Sequence, residues 1–352
     1  MTQPELFRET VAHQPHGRFL FYADFTPDLG RRIRQRHGLG PDASLRDFFG
    51  MFSPCVISPH CPARRPEEFE RYFATEPRRE GSFINGIGVL EIPAGLYHLT
   101  GYVSPLRNVS SLSEIENFPF PHLPDSEEGM ARKAEEAKAT GRVVAGMVGH
   151  IYENAWQIRG LEQFLEDLLE RPAWAECVAE RIALRAEMLA SAAARAGADY
   201  LITGDDIASQ HGMIFSPSVW RRFLKPRWKR VYDAARKENP DIAIWYHSDG
   251  DISAVIPDLI EIGVTILNPL QPECMDVVAL KKEYGRFLVF DGTVGTQSTM
   301  PFGTPEEVRS VVRQRMSTLG GDGALILSPT HVLEPEVPVE NVEAFCAACR
   351  DS

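Results

Sequence analysis

Histidines, carboxylates, amides and a thiol recur through the second half of this 352-residue chain, each group at the end of a short apolar run. His150 follows the run 143–148, Asp205 and Asp206 follow 200–203, and His247 and Asp249 follow 242–246. Asn268, Gln271, Glu273 and Cys274 come after 264–267, Asp291 after 287–290, and Thr330 and His331 after 324–327. Short runs rich in Val, Ile, Leu and Phe read as buried strands. If the strands are parallel, their carboxyl ends open on one face, which is where barrel and doubly wound α/β enzymes keep their chemistry. The chain therefore reads as an enzyme.

His247 and Asp249 are two apart at a strand end, so both project to the same side. Together with Cys274, its neighbour Glu273, and His331 from a later strand, they make a candidate divalent-metal site, zinc first. From spacing alone the same histidines suit hydrogen-bonding or acid–base work better, because no local motif such as H-E-x-x-H fixes them as ligands. Adjacent residues on a strand face opposite sides, so one of Asp205 and Asp206 enters the site, to bind a substrate hydroxyl or amine or to act as a base. Capping the next helix is the structural alternative for that pair. Gln210 and His211 lie where a lid would, and His150, Tyr152, Glu153 and Asn154 are placed to shape a pocket. His13, His16, His37, His60, His98 and His122 fall outside the strand-end pattern and read as surface or structural.

Amphipathic helices with recognisable ends separate the strands. Trp174, Val178, Ile182, Ala186 and Leu189 form one apolar stripe at helical spacing, a core face and not a cofactor box. Thr304-Pro305-Glu306-Glu307 is a capping box, Asp276 caps a helix that stops at Gly285, and Ser216-Pro217 starts another that Pro226 must kink or restart. Strands alternating with helices mean right-handed βαβ units and a parallel sheet. The first 140 residues are less regular. Residues 18–23 read as a first strand ending at Asp24, 81–91 and 96–103 as a hairpin turned by Pro93-Ala94-Gly95, 117–124 as a proline-rich connector, and 125–140 as a polar helix. The expectation is an α/β protein, a single (β/α)8 TIM barrel over residues 1–352. Its first part, 1–141, supplies the first strand, long loops and a hairpin extension, and 142–352 supplies regular βα units.

A 43% hydrophobic composition can bury a large core, and a net charge of −12 argues against a nucleic-acid partner. The basic run from Arg31 to Arg36 reads as a solvated helix face. No apolar stretch approaches the roughly 20 residues of a membrane span, and residues 1–5 lack the features of a secretory signal, so a cytoplasmic location without membrane association is expected. Six cysteines fit a reducing compartment, and the Cys346-x-x-Cys349 pair, with no second such pair, reads as part of a buried helix. Cys55 and Cys61 are unsupported as a pair.

Five segments together resemble the uroporphyrinogen decarboxylase superfamily over residues 142–350. They are Gly204-Asp205-Asp206-Ile207; Tyr246-His247-Ser248-Asp249-Gly250-Asp251-Ile252; Leu267-Asn268-Pro269-Leu270-Gln271-Pro272-Glu273-Cys274-Met275-Asp276; Thr330-His331-Val332-Leu333-Glu334-Pro335; and Pro338-Val339-Glu340-Asn341-Val342. The resemblance implies a (β/α)8 barrel and one of two chemistries: porphyrinogen decarboxylation, or metal-dependent methyl transfer serving corrinoid proteins. The decarboxylase branch opens with an arginine-rich R-Q-A-G-R-Y segment. Here the first strand reads Phe19-Leu20-Phe21-Tyr22-Ala23-Asp24, where a substrate with eight carboxylates would meet acid. The methyltransferase branch carries H-x-C and a later Cys around zinc. This chain keeps His247 but has Asp249 for the first Cys and Thr330-His331 at the second, a harder site suited to Lewis-acid polarisation of an ether, amine or hydroxyl.

The resemblance thus implies a methyltransferase moving a methyl group from a small O- or N-methylated compound to a corrinoid (cobalamin) on a partner protein. On that reading the metal ligands come from His247, Asp249, Glu273, Cys274 and His331. Asp206, His331 and Asp24 are the catalytic groups, and His150, Asp205, Gln210, Asn268, Gln271 and Asp291 contact substrate. The alternatives are a decarboxylase of a small carboxylate or of a porphyrinogen, assisted by Asp24 or Asp206, and a barrel that binds a corrinoid or tetrapyrrole without turnover. A homodimer is left open.

Overall fold

The computed structural model describes residues 1–94 and 100–351. Eight strands form its main sheet: β1 (Leu20–Phe21), β2 (Cys55–Ile57), β3 (Val144–His150), β4 (Tyr200–Gly204), β5 (Ala243–His247), β6 (Ile266–Asn268), β7 (Val289–Asp291) and β8 (Leu325–Leu327). Every ladder is parallel, and from β2 to β8 each strand pairs with the next in the chain, with β1 on the outer side of β8. The two end strands are themselves consecutive in sequence, and the Phe52 N–H donates to the Phe21 carbonyl across them at 2.7 Å. Leu20, Phe52, Ala145, Tyr200, Ala243, Ile266, Val289 and Ile326 pack into one buried cluster, drawing on all eight strands or their lead-ins. A flat sheet cannot bring those residues together, so the sheet is curled about them. Leu6 and Phe7, from the helix Gln3–Val11, fill the same cluster, with the Phe7 ring 5.2 Å from Tyr200.

Register orders the inward-facing side chains into levels. Tyr200 lies opposite Ala243, Trp245 lies between Ile202 and Ile266, and His247 lies between Gly204 and Asn268. Because side chains alternate with period two, successive levels are about 6.6 Å apart along the strands. The carboxyl-end level therefore carries the polar residues and those below it the apolar ones.

The outer helices follow their sequence signals. Val178, Ile182, Ala186 and Leu189 are buried in the helix Pro172–Arg195, and the Thr304 capping box opens Pro305–Leu319. Asp276 caps Val277–Tyr284, and Ser216 caps Pro217–Phe223, after which Lys225–Glu238 restarts at Pro226. In the decorated N-terminal part, Leu90–Pro93 and Thr100–Val103 form the expected hairpin, while its turn at Gly95 and residues 96–99, with His98, lie outside the described residues. The strand expected at 81–91 is two pieces: Phe83–Ile84 folds back on Leu90, with Asn85 accepting from Ile87 and Val89 N–H groups in the turn between. β2 gave no sequence signal, being three residues bounded by prolines at 54 and 59. Arg36 of the basic run pairs with Glu340 and Glu343, and Cys346 and Cys349 are free thiols buried in the helix Val339–Arg350. Among the described residues no helix is long and apolar enough to cross a membrane.

Candidate functional site

A chain of hydrogen bonds sets the state of His247. It begins at Asp291, which is 1% exposed and accepts from the Tyr22 hydroxyl (3.0 Å), the Trp245 indole N–H (2.8 Å) and the Ser328 hydroxyl (2.8 Å). Burial raises the pKa of Asp291, and these donors oppose the rise. With its proton given to Asp291, the Tyr22 oxygen accepts from Asn268 Nδ2 at 3.3 Å. That turns Asn268 Oδ1 toward His247 Nδ1, 2.7 Å away. An amide oxygen only accepts, so the neutral ring carries its proton on Nδ1 and its lone pair on Nε2. Nε2 lies 3.5 Å from Asp206 Oδ1.

Asp206 Oδ1 also accepts the Asp249 N–H at 2.8 Å, which fixes the loop after β5 against the end of β4. The donor atoms of Asp206, His247 and Asp249 lie within 4.8 Å of one another, and Asp249 Oδ1 is buried with no hydrogen-bond partner. Burial raises the pKa of Asp249; His247 and His331 oppose this, and the Asp206 charge adds to it. Two carboxylates and an imidazole lone pair, with one orphaned oxygen among them, are a donor set that fits a divalent cation of the N/O-preferring kind.

The expected ligands are thus only partly brought together. His247 and Asp249 are in the group, and Asp206, expected to orient substrate, joins them. His331 stands beyond Asp249, with Nε2 4.0 Å from Oδ2 and the ring about half exposed, outside the three-residue group. Cys274 and Glu273 are outside it as well. The chain turns sharply after β6, with Cys274 N–H bonded back to the Gln271 carbonyl, so the thiol sits on Gln271 Oε1 at 3.5 Å. Burial and the surrounding carboxylates push this thiol up to about 11. Glu273 turns toward the loop after β7, accepting from the Gln297 N–H (3.3 Å) and the Ser298 hydroxyl (3.5 Å).

Asp205 differs most from expectation. It is fully buried, and its oxygens accept from the N–H groups of Ile151, Tyr152 and Glu153 and from the Trp228 indole. It caps the preceding helix, Tyr152–Arg159, and has no face left for a substrate. Burial pushes its pKa up to about 7, against the pull of His150 and of these donors. His150, Glu153 and Asp205 make a second cluster of ligand-type atoms, but His150 is bonded to the Gly204 carbonyl (2.8 Å) and paired with Glu153 (2.6 Å). Burial works against a charged His150, yet Glu153 outweighs it and the pKa rises to about 9, so the cluster supplies its own cation.

Three spaces adjoin these residues. An interior cavity of about 410 Å³ is lined by Tyr22, Asp24, Arg46, Tyr200, Trp245 and Asp291 among others. A second, of about 230 Å³, shares Tyr22, Asp24 and Trp245 and reaches His247, Asn268 and His331. A third, of about 260 Å³, lies between Gln210, Asp249, Gln271, Gln297 and His331. Gln210 and Gln271 therefore line the mouth, although Gln271 Oε1 is taken by the Gly250 N–H at 2.6 Å. Asn268 and Asp291 line cavities while serving the hydrogen-bond chain, and Asp24 is paired with Arg46. Sequence reasoning passed over Tyr22, Trp245, Tyr200 and Arg46. Period two would have found Tyr22 and Trp245, each two residues from an inward-facing neighbour; nothing local marks Arg46.

No curated protein matches the chain. Among solved structures, a methyltransferase from Methanosarcina mazei aligns with a TM-score of 0.68 at 16% identity, over 100% of this chain and 99% of that one, a likeness of fold. A psychrophilic glycoside hydrolase family 10 endo-beta-1,4-xylanase aligns at a TM-score of 0.39 and 11% identity, over 62% of this chain and 80% of its own. An endo-1,4-beta-xylanase from Caldicellulosiruptor owensensis gives 0.36 and 10%, over 68% and 94%, and neither bears on function. The family described as Uroporphyrinogen decarboxylase (URO-D) matches residues 99–352, well over half of the chain, and this protein belongs to that family.

Proposed function

We propose that the protein is a metal-dependent methyltransferase on a closed (β/α)8 barrel, moving a methyl group from a small O- or N-methylated compound to a corrinoid carried by a separate protein. The observation that carries this reading is the Asp206, His247 and Asp249 group, with its orphaned buried oxygen, beside cavities of small-molecule size. His247 Nε2 and one oxygen each from Asp206 and Asp249 would hold the cation, and Asn268 keeps the His247 lone pair on the correct nitrogen. The cation supplies Lewis-acid polarisation of the methylated heteroatom. In the transfer the carbon–heteroatom bond breaks, the methyl goes to the corrinoid, and the heteroatom keeps the bonding pair and takes up a proton. His331, half exposed and lining both mouth cavities, is placed to give that proton. Trp245, stacked on His247 with ring centroids 5.7 Å apart, lines both the mouth cavity and the interior one.

Uroporphyrinogen, with eight carboxylates, suits these surfaces poorly: the interior cavity has Asp24 and Asp291 in its wall and Arg46 as the one arginine among its lining residues. The test is metal analysis joined to methyl transfer. Purified protein should retain a single Zn2+ or similar divalent ion and methylate a corrinoid from a methyl donor; His247→Ala should lose both. A protein that binds no divalent ion, or that forms coproporphyrinogen from uroporphyrinogen, would overturn the reading.

A further inference from the structure

The interior cavity holds groups that the reacting end does not use. Its wall is largely rings and branched aliphatics: Phe7, Phe52, Trp245, Ile202, Ile266 and Ile326. Polar groups interrupt it: Asp24 and Asp291, the Tyr22 and Ser53 hydroxyls, and the donors Tyr200 and Arg46. Tyr200 is 6% exposed and lines the cavity. Arg46 comes from the helix Leu45–Phe49, lies 5.0 Å over the Tyr22 ring, donates through Nη1 to the Phe52 carbonyl at 3.2 Å, and is held by Asp24 through Nη2 at 2.6 and 2.8 Å. The Asp24 side chain is 58% exposed. An ion pair this exposed to water is weak, so the guanidinium's remaining N–H groups are available to a second anion.

We infer that the substrate is a single-ring aromatic carboxylate, its ring in this cavity, its carboxylate on Arg46 and Tyr200, and its methylated heteroatom toward His247. The inference rests on the methyl-transfer reading for that last end. The Tyr200 hydroxyl and the Arg46 guanidinium line the same cavity, and two such donors make an anionic oxygen the fitting acceptor. Aromatic walls favour a flat ring, and about 410 Å³ is the lower part of the range that small-molecule pockets span, enough for one substituted ring. Register supplies the direction. Tyr200 lies four residues before the His247 level, about 13 Å along the strand, and Trp245 lies between. The mouth cavity shares Tyr22, Asp24 and Trp245 with the interior one, so a ring beside Trp245 has one edge toward each end.

The test is calorimetric binding to the metal-free protein without corrinoid, using 3- and 4-methoxybenzoate and the matching benzamides. At least one acid should bind about tenfold or more tighter than its amide, the contribution of a charge-assisted pair. Arg46→Gln should remove that preference and leave amide binding within about twofold, Tyr200→Phe should weaken the acid about fivefold, and Asp24→Asn should tighten it. Equal affinity for acid and amide, a preference that survives Arg46→Gln, weaker acid binding in Asp24→Asn, or no ring binding at millimolar concentration would each overturn the inference. Since nothing turns over in this assay, acids that bind selectively yet are never demethylated would count against the methyl-transfer reading and not against the cavity's ligand.

Discussion

Replacing Asn268 with Leu should weaken metal binding without touching a ligand. In the native arrangement Asn268 Oδ1 accepts a hydrogen bond from His247 Nδ1 at 2.7 Å, and this bond keeps the proton on Nδ1 and the lone pair on the Nε2 that faces Asp206 and Asp249. Leu keeps the volume and removes the acceptor. The imidazole then has one protein acceptor within reach, Asp206 Oδ1 at 3.5 Å from Nε2, and moving its proton there converts the ligand nitrogen into a donor. Loss of such an orienting partner lowers metal affinity by about 10–100-fold, or roughly 1.4–2.8 kcal/mol. Competition for Zn2+ against a chromophoric chelator measures the change, and nitrogen-15 correlation spectra of the metal-free protein report the tautomer. Asn268→Asp presents an acceptor in the same place and should stay within about threefold of wild type. Wild-type affinity in Asn268→Leu, while His247→Ala loses the metal, would refute the argument, as would an unchanged tautomer.

Asp205→Asn places an amide N–H against donors in a fully buried site and should destabilise the fold by about 3 kcal/mol, read by urea unfolding; a change below about 1 kcal/mol would mean that the cap is dispensable. Because the folded-state pKa of His150 is raised to about 9, its pairing with Glu153 contributes fully below the ordinary histidine value of about 6.5 and is lost as pH rises through 9. With the histidine ring more than a third exposed, the effect is discounted to about 1 kcal/mol, and a melting-temperature profile from pH 6 to 9.5 should slope downward in wild type and flatten in Glu153→Gln. Cys274→Ser should leave Zn2+ affinity within about threefold, since the thiol is bonded to Gln271 and stands outside the donor group; a tenfold loss would return Cys274 to the ligand set.

The parallel strands, the helix caps and the convergence of His247, Asp249 and His331 on one mouth were legible in sequence because each depends on local periodicity or on which strand end a residue occupies. What was not legible depends on direction at atomic scale. Asp205 and Asp206 are adjacent, and strand alternation says that they face opposite ways but not which one is buried; the start of the helix Tyr152–Arg159, more than fifty residues earlier, decides it. Cys274 and Glu273 share a strand end with Asn268, yet one tight turn after β6 aims them elsewhere. Arg46 reaches the cavity from a short helix between β1 and β2, with neither strand spacing nor a motif to announce it.

The pairing of β1 with β8 has a consequence for the newly made chain. Leu20 lies beside Ile326, a partner about 300 residues away, so at the roughly 5–20 residues per second of synthesis the first strand waits on the order of 15–60 s for its neighbour. For that interval its outer backbone groups are an open edge, the kind that recruits other chains. The helix Val339–Arg350 that follows β8 packs Phe345 on Phe21 and offers Glu340 and Glu343 to Arg36, fastening the segment after β8 to those beside β1. Ribosome-bound chains ending before β8 should therefore need holding chaperones, and emergence of β8 and the helix after it is the event that ends the need.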